Sequence, residues 1–276
     1  MDTSIKVGKL SEEFTGKLGS YLRIDPIYNF YPLYDLYDAV SHRKTLWHIG
    51  FKNGHLAGFL LIYHGETPPS IMLDGDRDVV THLLDIVKIE EATFHLSPTL
   101  SDIVKNKFPI KSEYMTEIMS LRKGEEALYI THDVKLLNED HAVDLLRLVR
   151  EWRPAPNDIT EEEVEKTMDE LKRSDIYGIF TDGRLASVVQ LKKLLPHIPE
   201  VCWIGRVFTS QKYRGRGFAA SLVSKAVEEA FEYESVRYVG LGVRSDNIPA
   251  KHLYMKVGFK KYRARCWLNL NTEITP

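Results

Sequence analysis

Residues Val207 to Ala219 read Val-Phe-Thr-Ser-Gln-Lys-Tyr-Arg-Gly-Arg-Gly-Phe-Ala, and they are the stretch most able to do chemistry. A β-type run passes through a polar turn into a basic, glycine-bearing loop. An amphipathic helix pattern follows, with Phe218, Leu222, Ala226 and Ala230 four apart and Val223 and Val227 beside them. Strand, glycine loop and helix N-terminus together suit a phosphate. The first-turn N–H groups have no intrahelical partner, and the helix dipole places partial positive charge there. Gly215 and Gly217 carry no Cβ to keep an anion off the backbone, and Arg214 and Arg216 add charge-assisted donors unless they are tied up in surface ion pairs.

Arg214, Gly215, Arg216, Gly217, Phe218 and Ala219 resemble the R/Q-x-x-G-x-G/A signature of the GNAT superfamily of acyl-CoA-dependent N-acetyltransferases. A second stretch strengthens the resemblance. Val243 through Asn247, then Ala250, Leu253, Tyr254, Gly258 and Phe259, are similar to that family's later V-x-x-x-N-x-x-A-x-x-L-Y-x-x-x-G-F segment, in the right order downstream. The resemblance covers a little over half of the chain, its C-terminal part.

The resemblance implies an N-acyltransferase that moves an acetyl or longer acyl group from its CoA thioester to a primary amine of a small molecule or amino acid, or of a protein. Such a reaction needs a seat for CoA, a polarised carbonyl, an amine that loses a proton and a thiolate that gains one. By resemblance, backbone N–H groups from Gly215 to Ala219 hold the diphosphate, with Arg214, Arg216 and Phe218 in the same loop. Val207, Phe208 and Thr209, on a strand that splays from its neighbour, face pantetheine. Asn247 lies near CoA, and Tyr254 protonates the leaving thiolate. Each residue also has a plain structural reading: a strand end for 207–209, a helix cap for Asn247, a packed side chain for Tyr254. Some family members place a basic glutamate on the strand before the loop. The equivalent position here reads as Trp203, which takes no proton, so Glu200, His197 or a chain of waters is left for that role. A protein that binds CoA without turnover, as a sensor or assembly partner, is the alternative, and the missing strand carboxylate is its argument.

Composition narrows the classes. The 276 residues are 43% hydrophobic and 28% charged, as in a soluble globular protein, with a net charge of −2. That balance argues against a nucleic-acid binder despite the Arg-Gly-Arg-Gly loop. The longest apolar runs, such as Leu56 to Tyr63, fall far short of the ~20 residues that span a bilayer. The N-terminal residues lack the apolar core of a signal peptide, and Cys202 and Cys266 sit apart in β-type runs, so buried thiols in a cytoplasmic, reducing compartment are expected. The ten histidines have no metal-ligand spacing, so no metal is expected. Nothing in the sequence chooses between monomer and homodimer.

The elements around the loop read as an α/β protein of two tandem copies, each a mostly antiparallel twisted sheet flanked by helices. Leu128 to Leu137 reads as a strand. A helix capped by Asn138 follows, with Val143, Leu146 and Val149 on its apolar face, and then a second helix opened by the capping-box pattern Thr160 to Glu163. Strands at 177–181, 185–191 and 201–209 come next, the glycine loop and its helix follow, and strands at 236–243 and 259–270 flank a short helix from Pro249. Earlier, Ser11 starts a helix, Tyr31, Tyr34 and Tyr37 lie at helical spacing as a core face, and Asn53-Gly54 joins two apolar runs as a hairpin. Phe51, Gly54, Leu56 and Ala57 match Phe180, Gly183, Leu185 and Ala186 in register, which points to a repeat. The expected layout is a degenerate domain at 1–125, a linker at 122–126 and a CoA-binding domain at 126–276. In the first copy, Asp74-Gly75-Asp76-Arg77-Asp78 stands where the second has its glycine loop, and three carboxylates would repel a diphosphate. That copy is expected to bind no CoA, and to cover the second domain and shape the acceptor pocket.

Overall fold

The computed structural model describes residues 4–154, 157–192 and 196–270. The chain divides into two compact units that are not sequential. Among the described residues, unit one takes those up to Ile118, Arg244–Asp246 and those from Tyr262 on; unit two takes those of Met119–Val243 and Asn247–Lys261. The expected linker at 122–126 is packed inside unit two instead: the amide of Lys123 donates to the carbonyl of Arg237, that of Ala127 to Val257, and Lys260 Nζ lies 2.7 Å from Glu125 Oε2.

In unit one, β1 (Ile5–Lys9), α1 (Glu12–Leu22), α2 (Phe30–Tyr37) and α3 (Ala39–His42) precede the hairpin of β2 (Thr45–Lys52) and β3 (His55–Tyr63); β4 (Ser70–Gly75), α4 (Arg77–Leu84), β5 (Thr93–Leu96), α5 (Ser101–Lys107) and the start of β6 (Ser112–Arg122) follow. Strands β1 to β4 pair antiparallel in sequence, while β4 and β5 run parallel across α4. The buried face of α2 is Phe30, Leu33 and Leu36, not the expected tyrosine stripe, whose members are only half-buried. The tyrosines share the helical spacing but sit one position out of register with the fully apolar residues.

Unit two repeats this plan with β7 (Lys135–Leu136), α6 (Ala142–Trp152), α7 (Glu161–Arg173), the hairpin of β8 (Asp175–Thr181) and β9 (Arg184–Lys192), β10 (Val201–Thr209), α8 (Phe218–Glu232), β11 (Tyr238–Arg244) and α9 (Ile248–Val257). The last strand, β12 (Lys260–Asn269), starts there, and its later residues pair with β5 in unit one. Again one strand pair is parallel, β10 with β11 across α8. The hairpin turns match too: Asn53 and Gly54 have φ 52° and 84°, Asp182 and Gly183 have 52° and 70°, the positive values that suit right-twisted hairpins. Each hairpin shifts register at the shared phenylalanine, Phe51 or Phe180. The mixed α/β class read from the sequence is the one observed.

Two local expectations change. Only Lys135–Leu136 of the expected 128–137 strand is a strand. The buried face of α6 is Ala142, Leu145 and Leu148, one residue out of step with Val143, Leu146 and Val149. Both faces are apolar, so periodicity alone did not choose between them. The capping box holds as expected: Thr160 Oγ1 accepts from the Glu163 amide at 3.3 Å and Glu163 Oε2 from the Thr160 amide at 2.8 Å. Cys202 and Cys266 are both buried free thiols. No helix among the described residues is long and apolar enough to cross a membrane.

The N-terminus of α4 is already occupied. Asp76 is its N-cap, its Oδ1 accepting from the amides of Asp78 at 3.0 Å and Val79 at 3.4 Å, and Lys52 Nζ sits 2.9 Å from Asp76 and 2.8 Å from Asp78. A carboxylate of the chain thus takes the place an anion would need. The Lys52 hydrogen bond, more than the opposing desolvation, holds the Asp76 carboxyl below its usual range. Because the folded value is depressed, the associated stability is present above the ordinary carboxylate pKa and is lost as pH falls through the folded one. Asp76→Ala should therefore lower stability by about 1 kcal/mol at neutral pH, read from the urea midpoint, with the difference from wild type shrinking in acid.

Candidate functional site

The centre of unit two is the place where β10 and β11 part. They pair in parallel from Val201↔Tyr238 to Ile204↔Leu241 and no further. On its other edge β10 stays bound to β9, but with a register shift between Gly205 and Phe208. Within that bulge Arg206 adopts a left-handed φ of 45°, a conformation that costs a non-glycine residue on the order of 1–3 kcal/mol. The bulge turns β10 away from β11 and opens a cleft between their C-terminal ends.

Main-chain groups of neighbouring strand residues point to opposite edges. The carbonyl of Phe208 is taken on the β9 side, by Ser187 Oγ at 2.9 Å. Val207 therefore presents its amide and carbonyl to the parted edge. The carbonyl of Thr209 accepts from Arg214 Nε at 3.3 Å, which ties the loop back to the strand end. Of the three strand residues expected to face pantetheine, Phe208 and Thr209 have carbonyls engaged within the chain, and Val207 has its backbone groups at the parted edge.

The glycine loop follows directly. Gly215 and Gly217 have φ of 78° and 83°, and Gly217 is the N-cap of α8 without any side chain to satisfy the first-turn amides. Arg214 through Gly217 are exposed, and a Cβ built on Gly215 meets nothing within 4 Å. This is the reverse of α4: the same kind of helix end, following the same kind of strand, with its donors left open. The guanidinium of Arg216 lies 5.3 Å from the Tyr213 ring centre, and Tyr213 Oη donates to Asp182 at 3.2 Å, which anchors the loop on the β8–β9 turn. The helix behind it is held by Phe218, Leu222, Val223, Ala226, Val227 and Ala230, all buried, as the spacing predicts.

On α9, Asn247 caps the helix, its side chain accepting from the Ala250 amide at 3.2 Å. Gly258 closes the other end at φ 112°, where a Cβ would fall 2.5 Å from the carbonyl of Glu125. Tyr254 lies between these caps and is buried in the unit-two core, its ring 6.1 Å from that of Phe259. Burial pushes its phenol from 10.0 up to about 12, so it keeps its proton at neutral pH.

Glu200 is not brought to this cleft. It lies in the turn before β10, its carbonyl accepting the amides of Arg237 and Tyr238, at the end of the strand away from the glycine loop. Five residues of strand, about 17 Å, separate it from Gly205. His197 is exposed in the preceding turn.

Residues 143–259 match the profile of the Acetyltransferase (GNAT) family. That stretch is similar to the family's domain and covers less than half of the chain. Among solved structures, a GNAT-family acetyltransferase from Colwellia psychrerythraea shares the fold with a TM-score of 0.62 at 11% identity, over 96% of this chain and 100% of that one. A GCN5-related N-acetyltransferase from Sphaerobacter thermophilus gives 0.65 at 11%, over 99% and 98%. A tandem GNAT protein from the clavulanic acid biosynthesis pathway gives 0.62 at 13%, over 98% and 100%. No curated protein matches the chain. At these identities the likeness to solved structures is one of fold.

Unit two also holds residues that the sequence did not single out. Arg206 forms a bidentate pair with Glu170 of α7, at 3.0 and 2.9 Å, and Gln190 Nε2 lies 3.3 Å from the same carboxylate. Trp152, at the end of α6, stacks on Phe208 with centroids 5.8 Å apart and planes 15° apart. An arginine in the middle of the apolar run Val201–Thr209 was the available signal.

Proposed function

We propose that this protein is an acyl-CoA-dependent N-acyltransferase that moves an acetyl group from acetyl-CoA to a primary amine, of a small molecule or an amino acid, by direct attack. The observation that carries the reading is the coincidence at one end of β10 of a strand parting and an open helix N-terminus, in a unit whose core also holds the buried, protonated Tyr254. The first-turn amides of α8, with Gly215, Gly217, Phe218 and Ala219, take the diphosphate. The arginines beside them, Arg214 and Arg216, add positive charge at the mouth. Val207 then bonds the pantetheine arm along the parted edge.

Acetyl-CoA supplies the activated thioester. The amine nitrogen forms the C–N bond, the C–S bond breaks, and the departing thiolate takes the hydroxyl proton of Tyr254. The amine must shed a proton to reach this point. β10 offers no carboxylate, and Glu200 is remote, so solvent accepts that proton in this account. Asn247 acts through the helix it caps, by holding Tyr254 in place.

The second reading, a CoA-binding module without turnover, draws on the same lack of a strand carboxylate. Thiol release from acetyl-CoA across a panel of primary amines separates the two. Amine-dependent release with matching N-acetyl product is expected; CoA binding with no release above the uncatalysed rate on any amine would leave only the second reading.

A further inference from the structure

Residues 127–134, ahead of β7, are laid along α8 by serine side chains. The Tyr129 amide donates to Ser224 Oγ at 2.9 Å, the Thr131 amide donates to Ser221 Oγ at 3.1 Å, and Ser221 Oγ lies 3.2 Å from the carbonyl of Tyr129. Both serines are fully buried. Tyr129 itself is pinned from the other side by Lys256 Nζ, 4.2 Å from its ring centre.

The strap delivers His132 to the start of α8. Its ring meets Phe218 edge-on, with centroids 4.8 Å apart and planes at 84°. Its Nδ1 is 3.0 Å from Ser221 Oγ. Its Cε1 is 3.5 Å from where a Cβ on Gly217 would be. Thr131 Oγ1 lies 3.0 Å from the same Nδ1 and can donate to it, so two hydroxyls hold that ring nitrogen. The other ring nitrogen, Nε2, adjoins Cε1, the atom that approaches Gly217.

We propose that His132 is a ligand of the coenzyme's diphosphate. With its proton on Nε2, the ring donates to a phosphate oxygen beside the first-turn amides of α8, while Thr131, Ser221 and Phe218 fix the ring. Ser221 is the positioning residue. The proposal rests on the reading of the glycine loop as the diphosphate seat, and adds to it a side chain from outside both sequence motifs. A charge-assisted bond of this kind is worth roughly tenfold or more in affinity.

Calorimetric titration of wild type, His132→Phe and His132→Gln with CoA and with inorganic diphosphate tests it, with thermal midpoints measured alongside. The phenyl ring of His132→Phe keeps the edge contact with Phe218 but carries no donor. It should hold the midpoint and weaken both ligands by about tenfold. His132→Gln, whose amide nitrogen reaches about as far as Nε2, should stay within about threefold of wild type. If His132→Phe binds CoA as tightly as wild type, His132 only packs and the proposal is overturned. Absence of CoA binding by wild type overturns the glycine-loop reading itself, and this one with it.

Discussion

Gly217→Asp should abolish coenzyme binding while leaving the protein folded. The substitution gives α8 what α4 already has, a carboxylate at its first turn. The backbone cost is modest: φ is 83° there, and aspartate is among the residues that visit the left-handed region, at roughly 1–2 kcal/mol. Part of that cost is offset because the new carboxylate accepts from amides that Gly217 leaves open. The electrostatic cost falls on the ligand. A carboxylate about 4 Å from one diphosphate charge costs about 4 kcal/mol at an effective dielectric of 20, and it also displaces the amide donors. The dissociation constant for CoA should therefore rise at least ~100-fold, with the thermal midpoint nearly unchanged. Gly217→Ala separates the two contributions: it meets the backbone strain without the charge and should lose far less affinity. Equal losses in the two variants would mean that loop geometry alone governs binding.

Tyr254→Phe should lower kcat by roughly 100-fold and leave CoA affinity within about twofold, because general acid catalysis is worth at least that much and the ring's packing is retained. The core contact with Phe259 uses only the ring. The pH behaviour is equally specific. The folded phenol stands at about 12, above its ordinary 10.0, because burial disfavours the phenolate. The group stays protonated in the folded enzyme through pH ~10, so the ratio of wild-type to variant kcat should be flat from about pH 7 to 10. For stability the sign is that of a raised pKa: the contribution is complete below pH 10.0 and is lost as pH rises through about 12. A kcat ratio near one at every pH would remove Tyr254 from the chemistry.

Much of this arrangement was legible in the residues because it is written locally. The register of α8 follows from apolar residues four apart, and its open end from two glycines. The second motif reads as a helix with both caps spelled out, Asn247 at one end and Gly258 at the other. The acidic stretch at 74–78 was read as repelling phosphate; the structure adds that Asp76 fills the helix end itself. What stayed hidden depends on contacts distant in sequence. Nothing around His132 announces that Ser221, on another element, will bind it, and nothing around Glu170 announces Arg206. The bulge that parts β10 from β11 rests on a left-handed arginine, which no propensity rule favours. The strand expected at 128–137 fails for the same reason: its backbone finds serine hydroxyls on a helix instead of a neighbouring strand.

Titration of the wild-type protein with CoA, followed by calorimetry, tests the central claim most directly. The account predicts saturable binding of one coenzyme per chain, since α8 offers open amides and α4 is closed by Asp76. No uptake at millimolar CoA, or saturation that Gly217→Asp leaves untouched, would contradict it.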